Sequence, residues 1–240
     1  MIFIESSCND AAYHFSVEEL FMRYKQKEVP VLMIWQTEKT VMLGNNQTVK
    51  DEVNTDAAYK AGVKIIRRSS GGGAIYTDLG AVQYSVIEPL LHEAKIHREE
   101  AASSILKALN ALGIPATREG HNDILAGGRK ISGFAQYTSG GFVCTHGSLL
   151  FDSDLEFLAE VLLAREEKLR PKGITSIRSR VANIKPYIDN WTVGEFVTTL
   201  QKSLLNGKNV EVHRFSENEL EMISALQTEK YSNDEWNLRM

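Results

Sequence analysis

Three consecutive glycines, Gly71 to Gly73, follow two arginines and two serines in the segment RRSSGGGAIY at residues 67–76. Glycines in an ordered loop let backbone N–H groups approach phosphate oxygens, because no Cβ atom stands in the way. A neighbouring guanidinium would add a charge-assisted contact to the same anion. The segment therefore indicates an anion site, although these residues alone are also typical of an ordinary hairpin turn.

A second cluster joins a His-Asn-Asp triplet to a lysine among small residues: His121, Asn122 and Asp123, then residues 128–133 with the sequence GRKISG. If the strand from Lys130 alternates strictly, then Lys130, Ser132 and Phe134 share one face. A lysine pointing into a cleft provides a compact positive charge for a carboxylate or an α-phosphate. The alternative is an edge-strand lysine that discourages aggregation.

A third cluster places three positive charges, those of Lys172, Arg178 and Arg180, within nine residues after Pro171. Such a segment is typical of a lid that closes over an anion. Taken by itself, it is more typical of a solvated basic helix start. Each of the three clusters, taken alone, thus has a structural as well as a functional interpretation.

The composition is that of a folded globular protein. Of 240 residues, 43% are hydrophobic and 24% are charged, which excludes disordered, collagen-like and coiled-coil classes. The net charge of −4 gives no global attraction to nucleic acid or to an anionic membrane. Two cysteines are too few for a disulfide scaffold and indicate a reducing compartment. The sequence shows neither a signal peptide nor a bilayer-spanning apolar run, so we expect a cytoplasmic protein.

The patterns predict strands and hairpins through the first two thirds of the chain, followed by helices with capping boxes at Thr192 and Ser216. This order favours an α+β fold, with mixed, largely antiparallel sheets flanked by helices, over a doubly wound parallel sheet. Two further predictions are local: Thr55 caps a short helix, and strands at 74–76 and 82–87 pair with each other. The GxxxxGK[ST], GxGxxG, GxSxG and HExxH motifs are absent.

Together the three clusters resemble the lipoate-protein ligase A family. Its motif RRxSGGGAVxHDLGN is matched by RRSSGGGAIYTDLGA at residues 67–81. Its lysine motif, ND followed by RKxSGxA, is matched by Asn122, Asp123 and residues 129–135, and its motif KGITSxRSRVxN by residues 172–183. The family's HGxLL at 146–150 and a Glu-Trp-Asn triplet at 235–237 extend the resemblance, in order, over nearly the whole chain.

The resemblance implies a catalytic domain like that of biotin and lipoate ligases. It also implies an enzyme that uses ATP, with Mg²⁺ supplied through the triphosphate, to convert lipoate to lipoyl-AMP. The lipoyl group then passes to one lysine of an acceptor domain, in a 2-oxoacid dehydrogenase E2 subunit or the glycine cleavage H protein. Because the mixed anhydride is itself reactive, such an enzyme needs positioning and charge stabilisation rather than a covalent nucleophile.

By the same resemblance Lys130 is the catalytic residue, and its ammonium bridges the lipoate carboxylate and the α-phosphate. Arg68 adds positive charge at the same place. No side chain is expected to be a metal ligand. The other residues that the resemblance assigns to nucleotide and adenylate binding are Ser70, Gly72, Gly73, Ala74, Ile75, Tyr76, Asn122, Asp123 and Gly133.

The chain departs from the family pattern at Thr77, where the family often has histidine, and at His121, where it often has arginine. Both are expected to lie beside the site. Residues 1–240 correspond to the catalytic domain, so we expect the small C-terminal accessory domain of full-length ligases to be missing or to be a separate chain. In that case transfer from preformed lipoyl-AMP is expected to be efficient, and activation of free lipoate to be weak.

Three other functions stay open on sequence alone. A transferase of the same fold would pass octanoyl or lipoyl between carriers through a cysteine thioester. Cys144 and His146 are two apart on a predicted strand and share a face, but the resemblance places such a cysteine near Asn122, which favours packing for Cys144. A biotin-ligase-like enzyme would have a different order of glycine and arginine. A binding module for lipoyl-AMP, without activation, is the third.

Overall fold

The computed structural model describes residues 1–6, 8–25, 28–163 and 177–239. Its strands are β1 (Ile2–Ile4), β2 (Val31–Trp35), β3 (Thr40–Leu43), β4 (Lys64–Arg67), β5 (Ile75–Thr77), β6 (Ala81–Pro89), β7 (Ala116–Glu119), β8 (Asp123–Ala126), β9 (Arg129–Ser139), β10 (Phe142–Leu150) and β11 (Glu211–Val212). Its α-helices are α1 (Ala11–Glu19), α2 (Val49–Glu52), α3 (Thr55–Lys60), α4 (Ala94–Ala111), α5 (Leu155–Val161), α6 (Ile177–Arg180), α7 (Val193–Leu205), α8 (Glu217–Leu226) and α9 (Asp234–Asn237). Short π-helical segments, Leu20–Tyr24 and Gln227–Tyr231, extend α1 and α8.

The strands form two sheets. The large sheet has the order β11-β1-β2-β6-β10-β9-β8-β7, and the small sheet has the order β4-β3-β5. In the large sheet β11, β1 and β2 run parallel, and every pair from β2 to β7 is antiparallel. The prediction of an α+β fold with mixed, largely antiparallel sheets flanked by helices is therefore confirmed.

The predicted pairing of the strands on either side of the Asp78-Leu79-Gly80 turn is wrong. β5 pairs with β3 in the small sheet, whereas β6 pairs with β2 and β10 in the large one. The turn instead carries the chain from one sheet to the other. A Cβ atom on Gly80 would lie 2.1 Å from the carbonyl oxygen of Asp152, so only glycine fits at this crossing. Alternation marks a strand but does not specify its partner.

Apolar side chains fill both faces of the large sheet. One face packs against α4 and α7, with Tyr84, Phe134 and Phe196 in the same cluster. The other face packs against α1 and α8, with Phe15 and Trp35 among its buried members. A third cluster joins the small sheet to α5. Among the described residues, no helix is both long and apolar enough to cross a membrane.

Local capping places the helix ends. Asp10 accepts a hydrogen bond from the N–H of Ala12 and begins α1. The predicted capping boxes of Thr192 and Ser216 are both present. The short helix α3 is capped by Asn54 and not by Thr55, because the Asn54 side chain accepts from the N–H of Ala57 at 3.2 Å.

Candidate active site

A cleft of about 350 Å³ is lined by residues of both sheets. All residues that the family resemblance assigned to the site line this cleft, except Ser70, which lies behind its wall. They are Arg68, Gly72, Gly73, Ala74, Ile75, Tyr76, Asn122, Asp123, Lys130 and Gly133. The fold thus brings together two segments that are more than forty residues apart in the sequence.

The floor of the cleft is a row of residues that pair across five strands of the large sheet. Trp35 on β2 pairs with Gln83 on β6, Gln83 with Ser148 on β10, Ser148 with Gly133 on β9, and Gly133 with Asp123 on β8. Directly paired residues present their side chains on the same face of a sheet. The row therefore runs from an indole at one end to a carboxylate at the other.

A β-bulge in β9 brings Lys130 to this face. Leu125 pairs with Lys130 and its neighbour Ile124 pairs with Ser132, so Ile131 is an extra residue in the strand. The Lys130 ammonium consequently lies over Gly133, where an ideal Cβ would be 2.6 Å from Nζ.

The prediction that Lys130 shares a face with Ser132 and Phe134 is wrong. Phe134 packs in the core with Tyr84, on the far face of the sheet. Strict alternation could not anticipate the extra residue, which shifts the pattern by one position.

Lys130, Asp123 and Arg180 form a charge cluster at the polar end of the row. Asp123 Oδ1 lies 2.7 Å from Lys130 Nζ, and Asp123 Oδ2 accepts a hydrogen bond from Arg180 Nη2 at 2.8 Å. Burial raises the pKa of Asp123, but the two cations outweigh it and hold that pKa below its usual value. Burial lowers the pKa of Lys130, and Asp123 opposes this effect. Two cations share one carboxylate, so the cluster keeps a net positive charge for an anionic ligand.

Arg180 reaches this cluster because its segment pairs with β9. Val181 forms a parallel bridge with Lys130, and the N–H of Ala182 donates to the carbonyl of Lys130 at 2.9 Å. Arg178, from the same motif, contacts Glu156 at 2.6 Å. The lid predicted for residues 172–180 falls partly on residues 172–176, which lie outside the described residues.

The glycine loop, residues 69–73, is held by Arg68. Its buried guanidinium donates to the carbonyls of Gly71 and Gly73 at 2.8 Å, to that of Met42, and to Ser70 Oγ. Gly72 has a φ of 97°, which side chains rarely tolerate. Burial lowers the pKa of Arg68 to about 10. Arg68 therefore has two roles. Its N–H donors hold the glycine loop in shape, and its positive charge lies at the cleft.

Ser70 belongs to a buried relay behind the glycine loop. Ser70 Oγ lies 2.6 Å from His146 Nε2, and His146 Nδ1 lies 2.9 Å from Glu18 Oε1. Since a carboxylate only accepts, Nδ1 donates to Glu18. Ser70 in turn accepts from Arg68 Nε at 3.0 Å. Ser70 is fully buried, so the relay positions Arg68 and does not present a nucleophile to the cleft.

Several cleft residues were not predicted from the sequence. The apolar end is lined by Phe15, Trp35 and Met42, which read as ordinary core residues. Gln83 is 2% exposed, and neither of its side-chain polar atoms has a hydrogen-bond partner among the described residues. A glutamine within a run of buried strand residues is the one signal that could have identified it. An unpartnered buried amide beside a cleft indicates a ligand that completes its hydrogen bonds.

Three other residues singled out in the sequence lie away from the cleft lining. Cys144 is fully buried, and burial raises the pKa of its thiol well above the usual value. Thr77 is buried and its Oγ1 lies 2.6 Å from that of Thr37. His121 is exposed in the turn before β8. The packing interpretation of Cys144 agrees with this placement.

The catalytic domain family described as lipoyl protein ligase A/B matches residues 10–205. The chain is 34% identical to the lipoate-protein ligase LplJ of Bacillus subtilis over an alignment 242 positions long, which covers 99% of this chain and 73% of the relative. A structure of a bi-partite lipoate protein ligase from Thermoplasma acidophilum has a TM-score of 0.85 and 26% identity, covering 99% of this chain and 95% of that one. The fold is also shared by a lipoate-protein ligase A crystallised with ATP (TM-score 0.84, 24% identity, covering 99% of this chain and 97% of that one). The family match takes in most of the chain and all three clusters, and the chain therefore belongs to the lipoyl protein ligase A/B catalytic domain family.

Proposed function

We propose that the chain activates lipoate with ATP and transfers the lipoyl group to a lysine of an acceptor domain. One observation carries the proposal: the Lys130–Asp123–Arg180 cluster and the glycine loop line the same cleft. The two meet over β9, since a Cβ atom on Gly72 would lie 3.8 Å from the Cβ of Ala135. A single cleft thus offers a lysine for a carboxylate and an open backbone for phosphates.

The order of residues along the cleft floor supports this reaction. The apolar end at Trp35 and Phe15 suits an acyl chain, and the charged end at Lys130 suits its carboxylate and the α-phosphate of ATP. A carboxylate oxygen attacks the α-phosphorus, pyrophosphate leaves, and lipoyl-AMP remains. Lys130 holds two anions that otherwise repel each other, and it stabilises the charge that grows on the phosphoryl oxygens.

The second step needs no side-chain nucleophile from the protein. The amine of the acceptor lysine attacks the carbonyl carbon of lipoyl-AMP, an amide bond forms, and AMP leaves with the electron pair of the anhydride bond. The proton of the amine passes to solvent. Lys130 stabilises the carbonyl oxygen and the departing phosphate in the same position that it occupied in the first step.

Mg²⁺ would enter as the complex of ATP. Both carboxylate oxygens of Asp123 already contact cations. Asp123 is therefore better suited to position Lys130 and Arg180 than to bind a metal ion. Phosphate oxygens and water are the ligands that Mg²⁺ commonly keeps in such sites. The ion would neutralise the charge of the triphosphate.

The proposed acceptor is a lipoyl domain of an E2 subunit or the glycine cleavage H protein. The Thermoplasma relative is described with its E2 lipoyl domain as parts of one lipoylation system, which supports the first of these. That relative is also bi-partite, which supports a separate accessory chain as a further partner. Both cysteines are free thiols, in keeping with a reaction in the cytoplasm.

The test is acceptor modification read by intact mass. The 240-residue chain is incubated with an apo lipoyl domain, ATP, Mg²⁺ and either lipoate or octanoate, and a second arm supplies preformed lipoyl-AMP without ATP. Modification in the first arm supports the full reaction. Modification in the second arm alone supports transfer without activation, and modification in neither contradicts the proposal.

A further inference from the structure

Arg67 is a fully buried arginine next to the glycine loop, and its charge is met by main-chain carbonyls. Nη1 donates to the carbonyls of residues 44, 45 and 47, in the loop after β3. Nε and Nη2 donate to carbonyls of the C-terminal segment, residues 230–239. Nε donates to the carbonyl of Trp236 at 2.9 Å, and Nη2 donates to the carbonyls of Asn237 at 3.0 Å and Arg239 at 2.9 Å. One guanidinium thus ties together two segments that are about 190 residues apart in the sequence.

The backbone of Arg67 makes contacts to the same C-terminal segment. Its N–H donates to Asn237 Oδ1 at 2.8 Å, and its carbonyl accepts from Trp236 Nε1 at 2.8 Å. The Trp236 ring is itself covered by two cations, Lys230 at 4.4 Å and Arg239 at 4.0 Å from the ring centroid. The short helix α9 is therefore fixed on the strand that leads into the glycine loop.

Both segments that Arg67 holds also support the glycine loop. In the loop after β3, the N–H of Asn45 donates to the carbonyl of Ser70 at 2.8 Å. A Cβ atom on Gly44 would lie 2.2 Å from the carbonyl oxygen of Gly72, so this loop is packed directly against the glycine loop.

On the C-terminal side, Ser69 Oγ lies 2.8 Å from Tyr231 Oη. The ammonium of Lys230 donates to the same Ser69 oxygen at 3.2 Å. The glycine loop is thus supported from two sides, by residues 44–47 and by residues 230–239, and both supports meet at Arg67.

We propose that Arg67 is a positioning residue that fixes the glycine loop for nucleotide binding by holding residues 44–47 and the C-terminal segment against it. Arg67 does not line the cleft, so it acts through the loop and through Arg68. The nucleotide part of this inference rests on the proposed function, and the loop-positioning part does not. Lysine cannot replace Arg67 in this role. Its ammonium has only three donors on one nitrogen and lacks the planar guanidinium fork that reaches both segments.

The test uses two variants and one control in the full chain. Arg67→Lys keeps the charge and removes the fork. Trp236→Phe keeps an aromatic side chain but removes the Nε1 donor to the Arg67 carbonyl and part of the ring that Lys230 and Arg239 cover, so it weakens the same attachment of the C-terminal segment if Arg67→Lys does not fold. Arg214→Lys, at an exposed arginine in the C-terminal third, is the control for the exchange of arginine for lysine. Hydrogen–deuterium exchange without ligand reports on residues 44–47 and 69–73, and calorimetry measures the Kd of ATP.

We expect faster exchange at both loops in the two variants. We also expect an ATP Kd that is about tenfold higher in Arg67→Lys, which equals roughly 1.4 kcal/mol. The limiting rate at saturating ATP is expected to change less than the KM for ATP, because the loop can still be ordered by the bound nucleotide. Arg214→Lys is expected to match the wild type in both measurements.

Wild-type exchange at residues 69–73 in a folded Arg67→Lys protein overturns the inference. Faster exchange with an unchanged ATP Kd overturns its link to the nucleotide. A wild-type chain that binds no ATP contradicts the proposed function instead, and the exchange measurement still decides whether Arg67 positions the loop.

Discussion

The ammonium of Lys130 occupies the space next to the Cα atom of Gly133, where an ideal Cβ atom would lie 2.6 Å from Nζ and 2.8 Å from Cε. No side chain larger than hydrogen fits there while Lys130 keeps its position. The bulge at Ile131 and the missing side chain at Gly133 act together: the first turns Lys130 to the cleft, and the second leaves room for it.

Gly133→Ala is therefore expected to displace the Lys130 ammonium while the strand remains intact. Because a misplacement of about 1 Å can cost on the order of a hundredfold in rate, we expect a large loss of lipoate-dependent pyrophosphate release. The melting temperature should change little, since Gly133 has no positive φ. The control is Gly194→Ala in the first turn of α7, where the nearest atom is 3.9 Å from the added Cβ. Equal rates in the two variants would contradict this account.

Lys130→Ala is expected to abolish adenylate formation in a folded protein. Losing one preorganised donor to a developing negative charge typically costs about 10²–10³-fold in rate, and Lys130 is placed to serve two anions. Asp123 keeps Arg180 as a partner at 2.8 Å, so its charge is not left unpaired. Pyrophosphate release at a near wild-type rate, with a normal circular dichroism spectrum, would remove Lys130 from the catalytic role.

The pH dependence of adenylation is expected to depend on Asp123. Burial lowers the pKa of Lys130, and the Asp123 carboxylate opposes this by favouring the charged lysine. In Asp123→Asn the carboxylate that favours charged Lys130 is lost, so the Lys130 pKa falls further. Because adenylation needs the charged lysine, activity is expected to fall at a lower pH than in the wild type as the pH is raised. The measurement is kcat/KM for pyrophosphate release against pH, which reports on the free enzyme. Lys130→Arg, whose side chain stays charged, serves as the control. If the pH at which kcat/KM falls on the alkaline side is unchanged or higher in Asp123→Asn, the proposed effect of Asp123 on the Lys130 pKa is contradicted.

The sequence is sufficient to single out three motif segments that line the cleft, but not the other segments that line it, nor how each side chain reaches it. Strands such as β2 and β10 are continuous apolar or alternating runs, and they lie in the first two thirds of the chain, where the patterns predict strands. Lys130 was expected on the face of Ser132, because a single extra residue in β9 leaves no mark in the alternation. Long-range partners are equally hidden: nothing local to Arg67 indicates that its donors reach Trp236.

The same limit explains the residues that were missed. Trp35, Phe15 and Gln83 come from strands and a helix whose patterns indicate only burial, and they line the cleft because the small sheet stands opposite them. The glycine loop was easier to predict from the sequence. Each of its three consecutive glycines costs about 0.5–1 kcal/mol of conformational free energy relative to alanine, and such a cost indicates a function for the loop.

Gly72→Val is expected to weaken ATP binding more than it lowers stability. Gly72 has a φ of 97°, and its Cβ would lie 3.0 Å from Arg68 Nη2, so valine both strains the backbone and disturbs the guanidinium that holds the loop. Gly71→Ala is a matched control in the same loop, because an added Cβ there meets nothing within 4 Å. Calorimetry with ATP separates the two. An unchanged ATP affinity in folded Gly72→Val would make the loop an ordinary turn.

Gln83→Met is expected to make the free protein more stable and the enzyme less active. Gln83 is buried in the cleft floor between Trp35 and Ser148, and its carboxamide has no hydrogen-bond partner among the described residues. Burying an amide without a partner costs about 1–3 kcal/mol on the scale of protein mutations, and methionine of similar length avoids that cost. A ligand that completes the hydrogen bonds of Gln83 would lose them in the variant. We therefore expect a higher melting temperature without ligand.

The same change is expected to lower the affinity for the ligand that occupies the middle of the cleft. Melting temperatures with and without lipoate, ATP or a non-hydrolysable lipoyl-AMP analogue measure both effects in one experiment. The gain in stability should shrink or reverse when the analogue is present, since only the wild type then has a partner for its amide. An equal gain with and without the analogue would mean that Gln83 does not contact the ligand. A lower melting temperature in the free protein would mean that its amide is already satisfied within the fold.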